Sequence, residues 1–303
     1  MPSTRRHFLQ ASLAAGAIGT LTTTGAPAIE PIRRTGRPLI RLSLAAYSFR
    51  QFLDLRRKPR PAMSLDDFID MAAGLPLDAV ELTAYYFAQT TPRYLAELKG
   101  RCTRLGLDIS GTAVGNNFCV TDDSRLKEQI ADVKRWIEHT SRLGGKTMRI
   151  FAGNVERGDT VERARARVLA AFQEVCDHAG QYGIYLALEN HGGITGTPEQ
   201  ILTLVRAVKS AWFGINLDTG NFITADPYAD LARIAPYAVV CQIKTEIQRA
   251  GKAQEEADLK RLVGILRTAN FRGYVALEYE AAADPKIAVP RALAQLRDIV
   301  SAQ

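Results

Sequence analysis

Apolar and polar positions along the chain follow two periods in turn. Eight short runs are rich in β-branched and apolar residues and end in turn formers, the signature of strands: "LIRLSLAAY", "DAVELTAY", "LDISGTAV", "KTMRIFAG", "IYLALEN", "FGINLDTG", "AVVCQIKTE" and "YVALEYE". Between them, apolar residues recur at helical spacing, as in "SLDDFIDMAAGL" and "ERARARVLAAFQEVCDHAGQYG". Local signals agree. In "GTPEQILTLV", Thr197 is an N-cap, Pro198 takes the first helical position and Glu199 lies in the first turn, while Gly144 and Gly183 read as helix stops.

Strand followed by helix, eight times over, predicts a parallel sheet, and the count suits a closed (β/α)8 TIM barrel of about 250 residues. An open doubly wound sheet would call for a Gly-rich phosphate turn after an early strand, and no G-x-G-x-x-G occurs there. The barrel is expected over residues 39–303, with 29–38 as a linker. Residues 1–28 read differently. Paired Arg5 and Arg6 precede Phe8, Leu9 and the mild apolar run "ASLAAGAIG", and Ala26-Pro27-Ala28 is an A-x-A-like cleavage site. That order describes an export signal, and the adjacent arginines resemble a twin-arginine signal, which implies a periplasmic or otherwise exported protein. The apolar run is too short to span a membrane, so no stable span is expected once the signal is removed.

The net charge is +7, and +5 without Arg5 and Arg6. Much of the excess lies in "RQFLDLRRKPRP", a solvated loop by its pattern. No aromatic residues interleave with the basic ones as stacking platforms, which argues against a nucleic-acid target. Cys102, Cys119, Cys176 and Cys241 show no C-x-x-C spacing, and a disulfide scaffold is not expected for a core of this size.

In a barrel of this kind the C-terminal strand ends carry the chemistry. The fifth run ends Leu188-Glu189-Asn190-His191, the sixth Leu217-Asp218-Thr219-Gly220-Asn221, the seventh at Gln242 and Lys244, and the eighth Leu277-Glu278-Tyr279-Glu280. Four successive strands thus deliver Glu189, Asp218, Gln242 and Glu278 directly after apolar residues. Carboxylates packed there repel one another unless a cation neutralises them, and a divalent metal is an economical cation. Taken singly each has a plainer role: a Glu at a strand end pairs with an Arg, for which Arg149 on the fourth run is placed, Asp218 forms an Asx turn, and Gln242 bonds a loop.

The motifs "LALENHGG", "INLDTGN", "QIKTE" and "YVALEYE" resemble the xylose-isomerase-like barrel superfamily, the sugar (phosphate) isomerase/epimerase group, over essentially the whole chain after residue 28. The resemblance implies a metal held by Glu189, Asp218, Gln242 and Glu278, with Gln242 standing where the group has His. An amide oxygen with three carboxylates is an all-oxygen set, which favours Mn²⁺, or Mg²⁺ or Co²⁺, over Zn²⁺. Ketose 3-epimerases of the group carry a His where Asn221 stands and an Arg where Gln248 stands, with Arg249 one residue off. The endonuclease branch needs several His ligands, and the chain has only His7, His139, His178 and His191.

The implied reaction is metal-dependent proton abstraction beside a carbonyl through a metal-stabilised enediolate, with Glu189 and Glu278 exchanging protons with carbon on opposite faces of a small carbohydrate. His191 and Lys244 are expected to protonate oxygen or hold hydroxyls, and Glu81 and Arg149 to contact substrate. Export implies an unphosphorylated sugar or sugar derivative. The same chemistry on a 3-keto-glycoside expels the group at C1, so a lyase or net hydrolase is the alternative activity. A metal-free, non-catalytic sugar-binding barrel is the alternative of another class. Barrels of the group often associate as homo-oligomers.

Overall fold

The computed structural model describes residues 29–56 and 60–302. The expected export signal lies outside the described residues. The closed barrel is present: β1 (Leu39–Ala45), β2 (Ala79–Thr83), β3 (Asp108–Ala113), β4 (Thr147–Ile150), β5 (Tyr185–Glu189), β6 (Phe213–Asp218) and β7 (Ala238–Ile243) follow one another around it. Between β7 and the last barrel strand a small antiparallel hairpin intervenes, β8 (Glu246–Gln248) and β9 (Gln254–Glu256). β10 (Arg272–Leu277) then closes the barrel by pairing with both β7 and β1, all in parallel. The seventh apolar run therefore ends as barrel strand at Ile243, and its tail, through Glu246, turns away into the hairpin.

The helices form where their caps predict. α1 (Arg50–Leu53) is a single turn. α2 (Leu65–Ala72) starts in a capping box between Ser64 and Asp67. α3 (Pro92–Arg104), α4 (Asp123–Leu143) and α5 (Val161–Tyr182) follow. α4 and α5 stop at Gly144 and Gly183, whose φ of 83° and 67° only glycine adopts cheaply. α6 (Pro198–Ala207) has the Thr197 cap and Pro198 start as read from sequence, with Gln200 completing a capping box. α7 (Pro227–Ile234), α8 (Leu259–Thr268) and α9 (Pro285–Ser301) complete the ring. Among the described residues no helix is long and apolar enough to cross a membrane.

One large apolar core fills the space between strands and helices. Inside the barrel the side chains are stacked by depth. A small apolar plug of Ala79, Ala187, Val240 and Tyr274 closes the lower part. Because strand side chains alternate, the next inward positions on those same strands are Glu81, Glu189, Gln242 and Ala276. The sheet register shifts at Val80/Glu81 and again at Ile215/Asn216, each immediately before a polar inward residue. Irregularities of this kind re-aim side chains, and both fall at the level of the candidate site. All four cysteines are buried and free.

Candidate active site

The polar layer above the plug is a connected network. On β7, Gln242 points inward, and Lys244, just past the last strand residue Ile243, also reaches the acids. Gln242 is fully buried. Its amide Nε2 donates to Glu81 Oε1 at 2.7 Å, and its Oε1 accepts from Asn216 Nδ2 at 2.5 Å. Asn216 Nδ2 also lies 3.4 Å from Glu189 Oε2. Gln242 thus ties β2 to β6 across the barrel floor.

Glu189 ends β5 and meets Arg149 of β4, with Nε and Oε2 2.9 Å apart and both side chains almost wholly buried. Asn221 Nδ2 donates to its other oxygen at 2.8 Å. Arg149 also donates from Nη1 to the Val114 carbonyl at 2.7 Å and lies over the Phe151 ring, 4.0 Å from its centroid. Asp218 ends β6. Gly220 N–H donates to its Oδ1 at 2.8 Å, an Asx turn, and the Asn190 side chain clamps its backbone N–H and C=O, each at 2.9 Å.

Lys244 stands in the middle of the acids. Its Nζ is 3.1 Å from Asp218 Oδ2, 3.4 Å from Glu278 Oε2, 2.6 Å from Glu280 Oε2 and 3.1 Å from Asn221 Oδ1. The chain approaches closely here: a Cβ on Gly220 would sit 2.7 Å from Lys244 Cδ and 3.2 Å from the Glu246 carbonyl. Gly220→Ala is therefore expected to push the Lys244 stem off its partners while the barrel stays folded. Loss of turnover with a far-ultraviolet dichroism spectrum unchanged from wild type would show it, and full activity would refute it.

Four buried carboxyls face two buried cations, and burial raises the pKa of each acid. Burial, then the Glu278 charge, pushes Glu81 up to about 7. Burial does the same to Asp218, to about 7, against the opposing pull of Lys244. Burial also raises Glu189, against Arg149, and Glu278, against Lys244. Burial alone would lower Lys244, but Asp218, Glu278 and Glu280 outweigh it and hold it well above its ordinary value, fully charged. Arg149 is likewise raised by Glu189 and its neighbours despite burial.

Glu81 also links stability to pH. Its folded pKa lies above its unfolded one, so its stabilising contribution is complete below about 4.5 and is lost as pH rises through about 7. Glu81→Gln, which can still accept from Gln242, is expected to flatten the fall in melting temperature between those limits. Parallel pH profiles for the two proteins would contradict this.

His191 follows Glu189 by two residues but is exposed at the mouth, its ring centroid 4.6 Å from that of Phe151. Partial burial, with Arg149 and Lys244 near, lowers its pKa, so it is neutral at pH 7. Gln248 and Arg249 lie at the hairpin, where Gln248 donates to the Lys252 carbonyl and Arg249 pairs with Glu255. Neither reaches the acids. Three contributors were not read as site residues from sequence: Asn216, Glu280 and the clamping Asn190. The first two were legible by period alone, since each is two residues from a named acid on the same strand run.

A small cleft of about 170 Å³ reaches Asn221, Lys244 and Glu280 of the network, and a cleft of about 640 Å³ lined by Tyr47, Arg50, Asp54, Tyr85 and Tyr86 lies beside it, where Arg50 donates to the carbonyls of Tyr279 and Glu280. A second large cleft, about 530 Å³, lies at the opposite end of the strands against Tyr185, Phe213 and Val239, and touches none of these acids.

The four residues expected to hold a divalent metal do not fit one as they are arranged. Among the described residues no three His, Cys, Asp or Glu side chains converge to hold a metal ion. Lys244 Nζ lies within reach of both Asp218 and Glu278, Arg149 covers Glu189, and the Gln242 oxygen is taken by Asn216.

Residues 69–299 match the family model described as xylose isomerase-like TIM barrel. The chain belongs to this family. No curated protein matches the chain. Solved structures similar to this xylose isomerase-like barrel share its fold at low identity. A D-psicose 3-epimerase solved in the presence of D-fructose is 17% identical, with 86% of this chain and 99% of that one covered and a TM-score of 0.69. A 3-keto-D-glucoside 4-epimerase from E. coli is 16% identical, with 86% and 99% covered and a TM-score of 0.66. A xylose isomerase-like protein from Mycobacterium smegmatis in complex with magnesium is 15% identical, with 86% and 96% covered and a TM-score of 0.68.

Proposed function

We propose that this barrel is a sugar isomerase or epimerase that moves a proton on a carbon beside a carbonyl. The observation that carries the reading is the set of buried acids at the C-terminal strand ends, raised toward neutral pKa and facing fixed cations. A carboxyl poised near the working pH is an efficient proton carrier in both directions. Similarity to epimerases of ketoses and keto-glucosides supports the same class of chemistry.

In the proposed step, the Glu189 carboxylate takes the proton from carbon. The C–H electron pair becomes the C=C bond of an enediolate, and the carbonyl π pair moves onto oxygen. Glu278, in its protonated form, returns a proton to carbon from the other side, and the C=O bond re-forms. Glu189 and Glu278 then exchange protons with solvent, which resets the pair. β5 and β10 are separated by β6 and β7 around the barrel, so the two acids approach a substrate from different directions. Neutral His191 at the mouth can relay a proton to or from a sugar hydroxyl.

The substrate is an unphosphorylated sugar or sugar derivative, consistent with export through the signal read in residues 1–28. The tyrosine-lined cleft suits a carbohydrate, whose C–H faces pack on aromatic rings while its hydroxyls reach Arg50 and Asp54. Its size also favours a second reading, in which the substrate is a 3-keto-glycoside and loss of the C2 proton expels the group at C1 into the cleft.

The decisive experiment is incubation with ketoses and 3-keto-glycosides in deuterated water. Deuterium at the carbon beside the carbonyl supports the reading. Binding without incorporation for every candidate would sink it and leave a sugar-binding barrel.

A further inference from the structure

We propose that the Lys244 ammonium takes the place of a divalent metal in this barrel, so that the chain binds no metal ion and performs its proton transfer without one. The inference rests on the proton-transfer reading only for its catalytic half.

Each of the three carboxylates expected to ligate a metal already has a cation from the protein. Lys244 Nζ lies 3.1 Å from Asp218 and 3.4 Å from Glu278, and Arg149 Nε lies 2.9 Å from Glu189. The fourth expected ligand is a neutral amide that is fixed at both ends. Gln242 gives its N–H to Glu81 and its oxygen to Asn216, so turning that oxygen toward a metal would break two buried hydrogen bonds at once. The backbone is shaped for the lysine as well. Glycine at position 220 leaves the room that the Lys244 stem occupies, and Thr219 Oγ1 accepts from the Lys244 backbone N–H at 2.8 Å.

An ammonium has three protons, and four acceptors surround this one: Asp218, Glu278, Glu280 and Asn221. Glu280 is the most exposed of the three acids and the one whose place a substrate oxygen can take. Lys244 would then hold the developing enediolate oxygen by a charge-assisted hydrogen bond, in a buried setting where such a bond counts for more than in water. A lysine is a point charge and does not chelate two oxygens as a metal does. It therefore suits a substrate held through a single oxygen, the one on which enediolate charge develops.

The test uses the full chain freed of its export signal, and Mn²⁺ alone as the probe. Free Mn²⁺ is followed by electron paramagnetic resonance in titrations of wild type, Lys244→Met and the double variant Lys244→Met/Gln242→His. Wild type is expected to leave Mn²⁺ free and to contain no stoichiometric metal by elemental analysis. The double variant, with the ammonium removed and an imidazole supplied, is expected to take up about one ion per chain. Stoichiometric Mn²⁺ binding by wild type with Lys244 intact would overturn the proposal. So would deuterium exchange that is abolished by a chelator and restored by a metal. If wild type binds no Mn²⁺, the double variant does, and no sugar exchanges deuterium, the metal-replacement inference stands while the isomerase reading falls.

Discussion

Arg149→Met is expected to destabilise the protein by about 3–5 kcal/mol, the usual cost of breaking a buried ion pair from one side. The side chains of Arg149 and Glu189 are only 5% and 4% exposed, and their charged atoms are 2.9 Å apart. Removing the guanidinium leaves the carboxylate with Asn221 Nδ2 at 2.8 Å and Asn216 Nδ2 at 3.4 Å as its polar neighbours. Two neutral amides do not replace a charge in a setting where water cannot reach. The Val114 carbonyl also loses the donor at 2.7 Å that ties β4 to the segment after β3. Glu189 responds by holding its proton to higher pH, so the variant should lose its base as well as its stability. A double-mutant cycle isolates the pair. Arg149→Met/Glu189→Gln should recover most of the loss in denaturant unfolding, because an uncharged pair of similar volume needs no compensation. A double variant no more stable than Arg149→Met would mean that packing over Phe151, 4.0 Å from the guanidinium, is what the arginine supplies.

The barrel was legible because its periods are strict. Eight apolar runs, each followed by a helical pattern with its own cap, leave few topologies open, and the family match over residues 69–299 covers most of that alternation. The strand-end acids were legible for the same reason, since inward positions on a strand are fixed by a period of two. Arg149 as the partner of a strand-end Glu was legible too, whereas the placing of Lys244 between Asp218 and Glu278 was not. Glu189 has Arg149 as a partner forty positions away on the adjacent strand, and that pairing depends on the β4–β5 register, in which Arg149 lies opposite Ala187. Lys244 reads from sequence as a group that holds hydroxyls or protonates oxygen at the mouth, and its contacts with Asp218, Glu278 and Glu280 depend on the close approach of its stem to Gly220. Gln242 invited a metal reading because its place in the pattern is that of a ligand. Its two hydrogen bonds, to Glu81 on β2 and Asn216 on β6, come from strands that are distant in sequence and could not be read from it.

Glu278→Gln is expected to lower epimer formation by about 10²–10⁴-fold, the range that positioned acid–base groups contribute. The amide keeps the shape of the carboxyl and can still accept from Lys244, which lies 3.4 Å away, so the fold and substrate binding should persist. The informative quantity is the split between two processes. If Glu189 abstracts and Glu278 returns the proton on the other face, the variant keeps one working base. Deuterium from solvent should then continue to enter the starting sugar by return from Glu189, while the epimer stops forming. Glu189→Gln should show the mirror image when the epimer is supplied as substrate. An elimination gives a different pattern, because expulsion of a leaving group needs a base on one face only, and loss of Glu278 would slow it without uncoupling exchange from product. Equal loss of exchange and product in both variants would place the proton carrier elsewhere, with buried Glu81 and Asp218, each held up to about 7, as the remaining buried carboxyls of the network.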